Sequence, residues 1–411
     1  MHFVPDWLVR RFSFNWKSLL GLAVIGFVVA AVGFGPQWWR NRQALSFERQ
    51  CRELRNRRDW TQLASVSETW TQRDPQRANA WLFRAEAAEG QRQHVAAADF
   101  LFQVPSHDAK SVPAFLQGAT ILLGKANRPI EGVEALHKLL KREQRIAEVH
   151  RNLIQYYALT LQRQRLLEQI RFAIENHREP VEAFVYLFLV DTLRLSNGVE
   201  MNNRWLEQYP DHELFLVART LHMEEQREVA SDAAENKGDP AEHSVGSNSP
   251  RSQALAELLQ RFPHNVELLS HQIELSLVLG DTDRVVSLLS QAPPEIDEDN
   301  RFWRYKGQVH EARGQDAEAE SAYRRSFELN RLDWRSLNKL ASIERLRGRF
   351  SEVDRLQRLV NRADNLREQI RKVPNVEDVG ADWLRALADF AKDAGDETLA
   401  SALFRRLGIS S

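Results

Sequence analysis

Cysteine is almost absent: Cys51 is the only one among 411 residues. That excludes an intramolecular disulfide framework and any cysteine-rich zinc site, and leaves the compartment open. Cys51 follows Phe47 by four residues on an apolar stripe, the setting of a small core residue and not of a reactive thiol. Net charge is nearly absent too, at −1, so the chain as a whole is not a polyanion binder, and no nucleic-acid partner is expected. No strand-rich stretch alternates with a period of two. Catalytic signatures are missing as well: there is no H-E-x-x-H, no G-x-x-x-x-G-K-[ST], no G-x-S-x-G, and no G-x-G-x-x-G on a strand. "HEARG" at 310–314 lacks the second histidine of a zinc protease. "EIDEDN" at 295–300 lacks the glycine and spacing of a calcium loop. It reads as a polar loop with Asn300 as the N-cap of the next helix. No carboxylate pair can be assigned to acid–base work. No catalytic residue, cofactor or metal is therefore expected, and the chain reads as a non-enzyme.

What is present is helical periodicity. In 302–330, "FWRYKGQVHEARGQDAEAESAYRRSFELN", Trp303, Gly307 and His310 share one helical face. After Gly314 a second face carries Ala319, Ala322, Tyr323, Ser326 and Phe327. The spacing predicts two helices separated by Gly314-Gln315-Asp316, a C-terminal glycine followed by a capping aspartate. The same offsets recur in Trp81, Ala85, Ala97 and Leu101, and again in Leu384, Ala388, Ala400 and Phe404. Each time a large residue is followed by a small one at +4, and twelve residues later a second small residue precedes a large one. Small pairs let antiparallel helices approach, and large residues fill the space between successive hairpins.

These segments resemble tetratricopeptide repeats, whose period is about 34 residues and whose pattern runs W-x2-L-G-x2-Y…A-x3-F…P. Trp303, Lys306, Gly307, His310, Ala319 and Tyr323 occupy matching positions, with Arg331 where the closing proline would stand. Weaker copies are His150, Leu153, Ile154, Tyr157, Leu166 and Ile170, and Phe47, Cys51, Leu54, Leu63, Trp70 and Pro75. Pro210 and Pro263 fall at closing positions. Gln272 and Phe188 depart from the pattern, standing where a small residue is expected. The resemblance covers nearly all of the chain from about residue 44 and implies an all-α fold. It would be a right-handed helical-hairpin solenoid of about ten repeats behind one N-terminal transmembrane helix.

That transmembrane expectation rests on "SLLGLAVIGFVVAAVGFG", residues 18–35, which carries no charge and is just long enough for the roughly 17–25 residues of a spanning helix. Arg10, Arg11 and Lys17 precede it; Trp38, Trp39, Arg40 and Arg42 follow, the tryptophans fitting an interfacial belt. The expected organisation is a short basic tail (1–17), an anchor (18–39), a first solenoid segment (44–223), a disordered acidic insertion (224–250) and a second solenoid segment (251–411). Cleavage as a signal peptide is the alternative for 18–35, since Ala31-Val32-Gly33 makes only a poor cleavage site. The positive charges flanking it nearly balance. A basic start before one apolar segment favours an exported, periplasmic solenoid, with a cytoplasmic one still open. The scarcity of lysine beside arginine hints at a GC-rich bacterial genome. Residues 224–250 hold seven acidic residues, two basic ones and no apolar side chain larger than valine. Such a segment cannot bury enough surface to offset its ordering entropy. It reads as an insertion in the turn of one hairpin, with a hinge between two solenoids as the alternative. Between 351 and 373 helical spacing persists for longer than one repeat helix, as an extended helix or one broken near Asn361.

The resemblance also nominates a binding surface, because in that family the first helices of successive hairpins line a concave groove. By register the groove residues are Arg301, Arg304, Gln308 and Glu311, with Arg151 and Gln155 earlier and Asn79 and Glu86 near the start. Arg304 and Gln308 faintly resemble part of a carboxylate clamp, which Asn338, Lys339 and Asp382 do not complete. Arg49, Arg52, Arg55 and Arg58 recur every three residues and could lie on anionic headgroups if the domain is cytoplasmic. The implied function is a membrane-anchored scaffold that binds protein or peptide partners. The alternative is an accessory or assembly subunit of a membrane enzyme complex, with the anchor making the specific contact.

Overall fold

A computed structural model describes Trp39, residues 41–223 and residues 250–409. The anchor and basic tail therefore lie outside the described residues except for Trp39, as do residues 224–249 of the acidic insertion. Among the described residues all regular structure is helical, and no helix there is long and apolar enough to cross a membrane. The chain divides into two compact units between Ala126 and Asn127, not at the acidic insertion.

The first unit holds α1 (residues 41–57), α2 (Trp60–Arg73), α3 (Ala78–Gly90), α4 (His94–Phe102) and α5 (Ser111–Leu123). Its core forms where one face of each helix is apolar: Cys51, Leu54, Leu63, Trp70, Ala80, Phe83 and Ala87 are buried together. Ala85, Ala97 and Leu101 are buried at their expected repeat positions. Burial pushes the Cys51 thiol up to about 12, which keeps it protonated as a core residue.

The second unit begins with α6 (Pro129–Arg142), α7 (Ala147–Leu159), α8 (Arg163–Glu175), α9 (Val181–Leu189), α10 (Gly198–Leu206) and α11 (Glu213–His222). It continues with α12 (Pro250–Arg261), α13 (Val266–Val278), α14 (Thr282–Gln291), α15 (Asn300–Ala312) and α16 (Asp316–Leu329). The last four are α17 (Trp334–Leu346), α18 (Phe350–Ile370), α19 (Ala381–Ala394) and α20 (Glu397–Arg406). The hairpin expected over 302–330 is α15–α16. A Cβ on Gly307 would lie 2.6 Å from the Tyr323 ring, so the small residue is what lets the two helices meet. Gly314 turns the chain with φ +70°. Two capping expectations are corrected by one position. Asp316 lies in the first turn of α16 and Gln315 is the N-cap, while Asp299, not Asn300, caps α15 by accepting from the Arg301 amide. α18 runs unbroken for 21 residues, the extended alternative. α11 and α12 pack together through Val217, Leu221, Leu255 and Leu258, so the acidic segment joins two partners of one hairpin.

One hairpin does not form. α10 packs on α7 and α11 instead of on α9. Trp205 lies tilted against Tyr156 with ring centres 5.6 Å apart, and Asn202 donates to the Leu159 carbonyl at 2.9 Å. α9 leaves the stack and lies against the C-terminal hairpin, with Phe188 edge-on to Trp383 at 5.8 Å and to Phe390 at 6.3 Å. The large residue that broke the repeat pattern is the one that makes this contact. Two further links close the unit on itself. Arg171 on α8 donates twice to Asp396, at 2.9 and 2.5 Å, and Arg405 on α20 reaches Glu179 at 2.9 Å.

Candidate partner-binding groove

The expected groove residues fall into two different settings. In the first unit, α1, α3 and α5 line an open depression of about 510 Å³. Helical register places Arg52 and Arg55 one turn apart on α1, facing Asn79, Leu82, Phe83 and Glu86 on α3, with Gln117 on α5 and Lys110 just before it. Buried Phe83 and half-buried Leu82 form an apolar floor, and the rim is charged. Two of the expected groove residues, Asn79 and Glu86, are thus brought together with two of the four expected membrane-surface arginines.

The rim carries both signs. Arg52 holds Glu48 at 2.5 Å, Lys125 pairs with Glu89, and Arg55 stands 3.9 Å from Glu86 and 5.8 Å from the Phe83 ring centre. Among the described residues Lys110 donates to the Asn79 amide oxygen, a neutral partner. Burial raises the Glu86 carboxyl above its ordinary range; Arg55 opposes that shift and Glu89 adds to it. Arg49 and Arg58 are exposed, but Arg58 lies beyond the end of α1 with φ +56°, so the four arginines do not make one continuous helical stripe.

In the second unit the nominated arginines face their own chain. Arg301 and Arg304 are 3% and 2% exposed. Arg301 donates to Glu267 and Asp299; Arg304 donates to Asp333 at 2.7 Å and lies 3.0 Å from Asp191. Arg163 joins the same cluster through Glu267 and the Val190 carbonyl. Burial alone would raise the Asp191 carboxyl, but Arg304, Arg301, Arg335 and Arg163 outweigh it and hold it below the usual carboxylate range. Glu267 is held low in the same way by Arg163 and Arg301. Arg151 is exposed on α7 yet pairs with Glu182 of α9 at 3.0 Å, and Gln155 is exposed one turn along. Glu311 accepts from Tyr323 at 2.6 Å and Lys339 at 2.9 Å, while Gln308 is half-buried. Arg301 and Arg304 are therefore not groove-lining groups. Register nominated their helix face but could not show that Asp191, in the turn Val190–Thr192 after α9, lies against it.

Sequence reading missed Lys110 and Gln117. Neither stands at a strong repeat position, and only the packing of α5 on α4 brings them to the groove. Among the described residues no group of three or more histidine, cysteine, aspartate or glutamate side chains is arranged to hold a metal ion.

The hairpins and their small-to-large contacts define an all-helical repeat protein. No family model matches the chain, and no curated protein matches it. Among solved structures it is similar to a tetratricopeptide repeat protein from Parabacteroides merdae, at 10% identity over 65% of this chain and 98% of that one, with a TM-score of 0.29. It is also similar to a human IFIT1 dimer with PPP-AAAA, at 12% identity over 89% and 72%, with a TM-score of 0.30. Yeast Tom70 matches at 14% identity over 93% and 91%, with a TM-score of 0.26. At such scores these likenesses carry no argument of their own, and the class rests on the geometry of the hairpins.

Proposed function

We propose that this protein is a non-catalytic, membrane-anchored scaffold whose first unit binds an extended polypeptide segment in the α1–α3–α5 groove. The observation that carries the reading is the pairing of an apolar floor, Leu82 and Phe83, with Lys110, whose ammonium donates to the neutral Asn79 amide among the described residues. An extended segment laid there would place an acidic side chain on Lys110 and Arg55 and an apolar one on the floor. A polyanion gains little, because Glu48, Glu86 and Glu89 line the same groove beside Arg52, Arg55 and Lys110. The anchor would be residues 18–39, with the repeats on the exported side.

Selection from a peptide-display library on the full chain tests the groove. The expected result is enrichment of segments with an acidic residue next to an apolar one, lost on Lys110→Glu with Arg55→Glu. Enrichment that survives both substitutions would place binding elsewhere and sink the groove. A reporter fused to the C-terminus and active only outside the cytoplasm tests the orientation; its silence would reverse it.

A further inference from the structure

The second unit holds one of its own helices against charged and aromatic side chains from distant elements, independently of the groove in the first. α9, with sequence VEAFVYLFL, has left its hairpin, and residues 182–188 are buried without interruption. Its two flanking acids are held by arginines that repeat register placed on the inner face. Arg151 on α7 takes Glu182 at 3.0 Å, and Arg304 on α15 takes Asp191 at 3.0 Å, with Arg335 4.0 Å away. The two carboxylates stand nine positions apart, Glu182 in the first turn of α9 and Asp191 in the short 3-10 turn (Val190–Thr192) that follows it. Between them Phe188 meets Trp383 and Phe390, and Phe184 lies 5.9 Å beneath the Arg406 guanidinium. Arginine, aromatic surface and arginine thus match acid, aromatic helix and acid.

The fit is incomplete at its polar points. Glu182 Oε2, Glu179 Oε2 and Arg304 Nη2 are buried and make no hydrogen bond within the protein, so Arg304 meets Asp191 as an unaligned ion pair. α9 packs on α8 and on the turn at Val376–Asp378, but its charged and aromatic side chains also reach α7 and the C-terminal hairpin, and the turn that follows it reaches α15.

We propose that α9 is a cis-acting occupant of a helix-binding surface formed by α7, α15 and α19–α20, and that a partner helix of the same chemistry competes for it. That helix carries one carboxylate in its first turn and a second in the turn just past its C-terminal end, with an aromatic, apolar stretch between them. Closure by α9 is then an autoinhibited state, and affinity for the partner is reduced by the fraction of molecules in which α9 is seated.

The test uses the full chain and a soluble carrier protein displaying residues 178–194 of this sequence. The carrier binds the wild-type chain, and binding makes residues 181–192 of the chain exchange amide hydrogen faster. A Phe188→Ala chain, whose own α9 is less firmly seated, binds the carrier about tenfold more tightly. A carrier with Glu182→Arg and Asp191→Arg does not bind. Unchanged exchange at 181–192 under saturating carrier overturns the proposal, and this readout does not depend on the folding of the variant. Equal binding by the charge-reversed carrier also overturns it. A dimer formed by exchange of α9 between copies assigns the surface to self-association, and equally removes the foreign partner.

Discussion

Individual turn residues separate the early hairpins from the late ones. Gly280, Gly314, Gly348 and Gly395 all take positive φ between the helices of their hairpins, where glycine has no steric penalty. Arg58, Arg92 and Leu161 take the same conformation at the corresponding turns with φ of 56°, 61° and 51°. A left-handed non-glycine residue costs about 1–2 kcal/mol. Arg92 is exposed, so Arg92→Gly should stabilise the first unit by about 1 kcal/mol, less any gain in unfolded-chain entropy. A urea midpoint that does not rise would show that its side chain contributes more than the strain removes. Glycine punctuation is visible in a sequence, whereas an arginine or leucine in the same conformation is not, so the turns at Arg58 and Leu161 belong to weaker copies of the pattern, while the Arg92 hairpin was legible from its repeat positions alone.

At the scale of elements, the informative case is α9. Its run of large residues reads as a poor repeat helix, and Phe188 stands where close packing demands a small side chain. No local rule says where such a helix goes. The answer depends on Trp383 and Phe390, about 200 residues later. Its seat is stabilised by the α8–α20 contact, in which Asp396 is nearly buried and also accepts from the Leu399 amide at the start of α20. Arg171→Ala leaves that carboxylate with its capping bond alone. We expect a loss of about 1–3 kcal/mol, the cost of an under-satisfied buried acceptor. Hydrogen exchange should accelerate in α19 and α20 before it does in α15 and α16. Uniform acceleration across the second unit would mean that the link is not a local latch.

For the molecule as a whole, the two units should respond to acid with opposite sign. Asp191 and Glu267 have folded values below their unfolded ones, which are about 3.9 and 4.3. The stability they contribute is complete above those unfolded values and is lost as pH falls through the folded values. Glu86 is shifted the other way, so its ionisation opposes folding of the first unit, and protonation relieves that opposition as pH falls through its raised value. Native-state hydrogen exchange compared at about pH 6 and about pH 3 should show the α13–α15–α17 cluster losing protection and α3 keeping or gaining it. Loss of protection in α3 ahead of that cluster would contradict the assignment.

The sequence by itself determined the helices, most of their pairing into hairpins and the small residues that let them touch, because those features depend on neighbours within one repeat; the pairing of α9 was not among them. It also nominated helix faces for a groove, since register is local. Only the tertiary structure decided which of those faces stays open. Arg301 and Arg304 look like ligand-binding arginines until Asp191, Glu267 and Asp333 arrive from other elements and join Asp299 at the start of their own helix. Asn79 and Glu86 line a groove that is open among the described residues. Charge pairs between distant segments follow no periodicity, so their outcome is settled by how the chain closes in space.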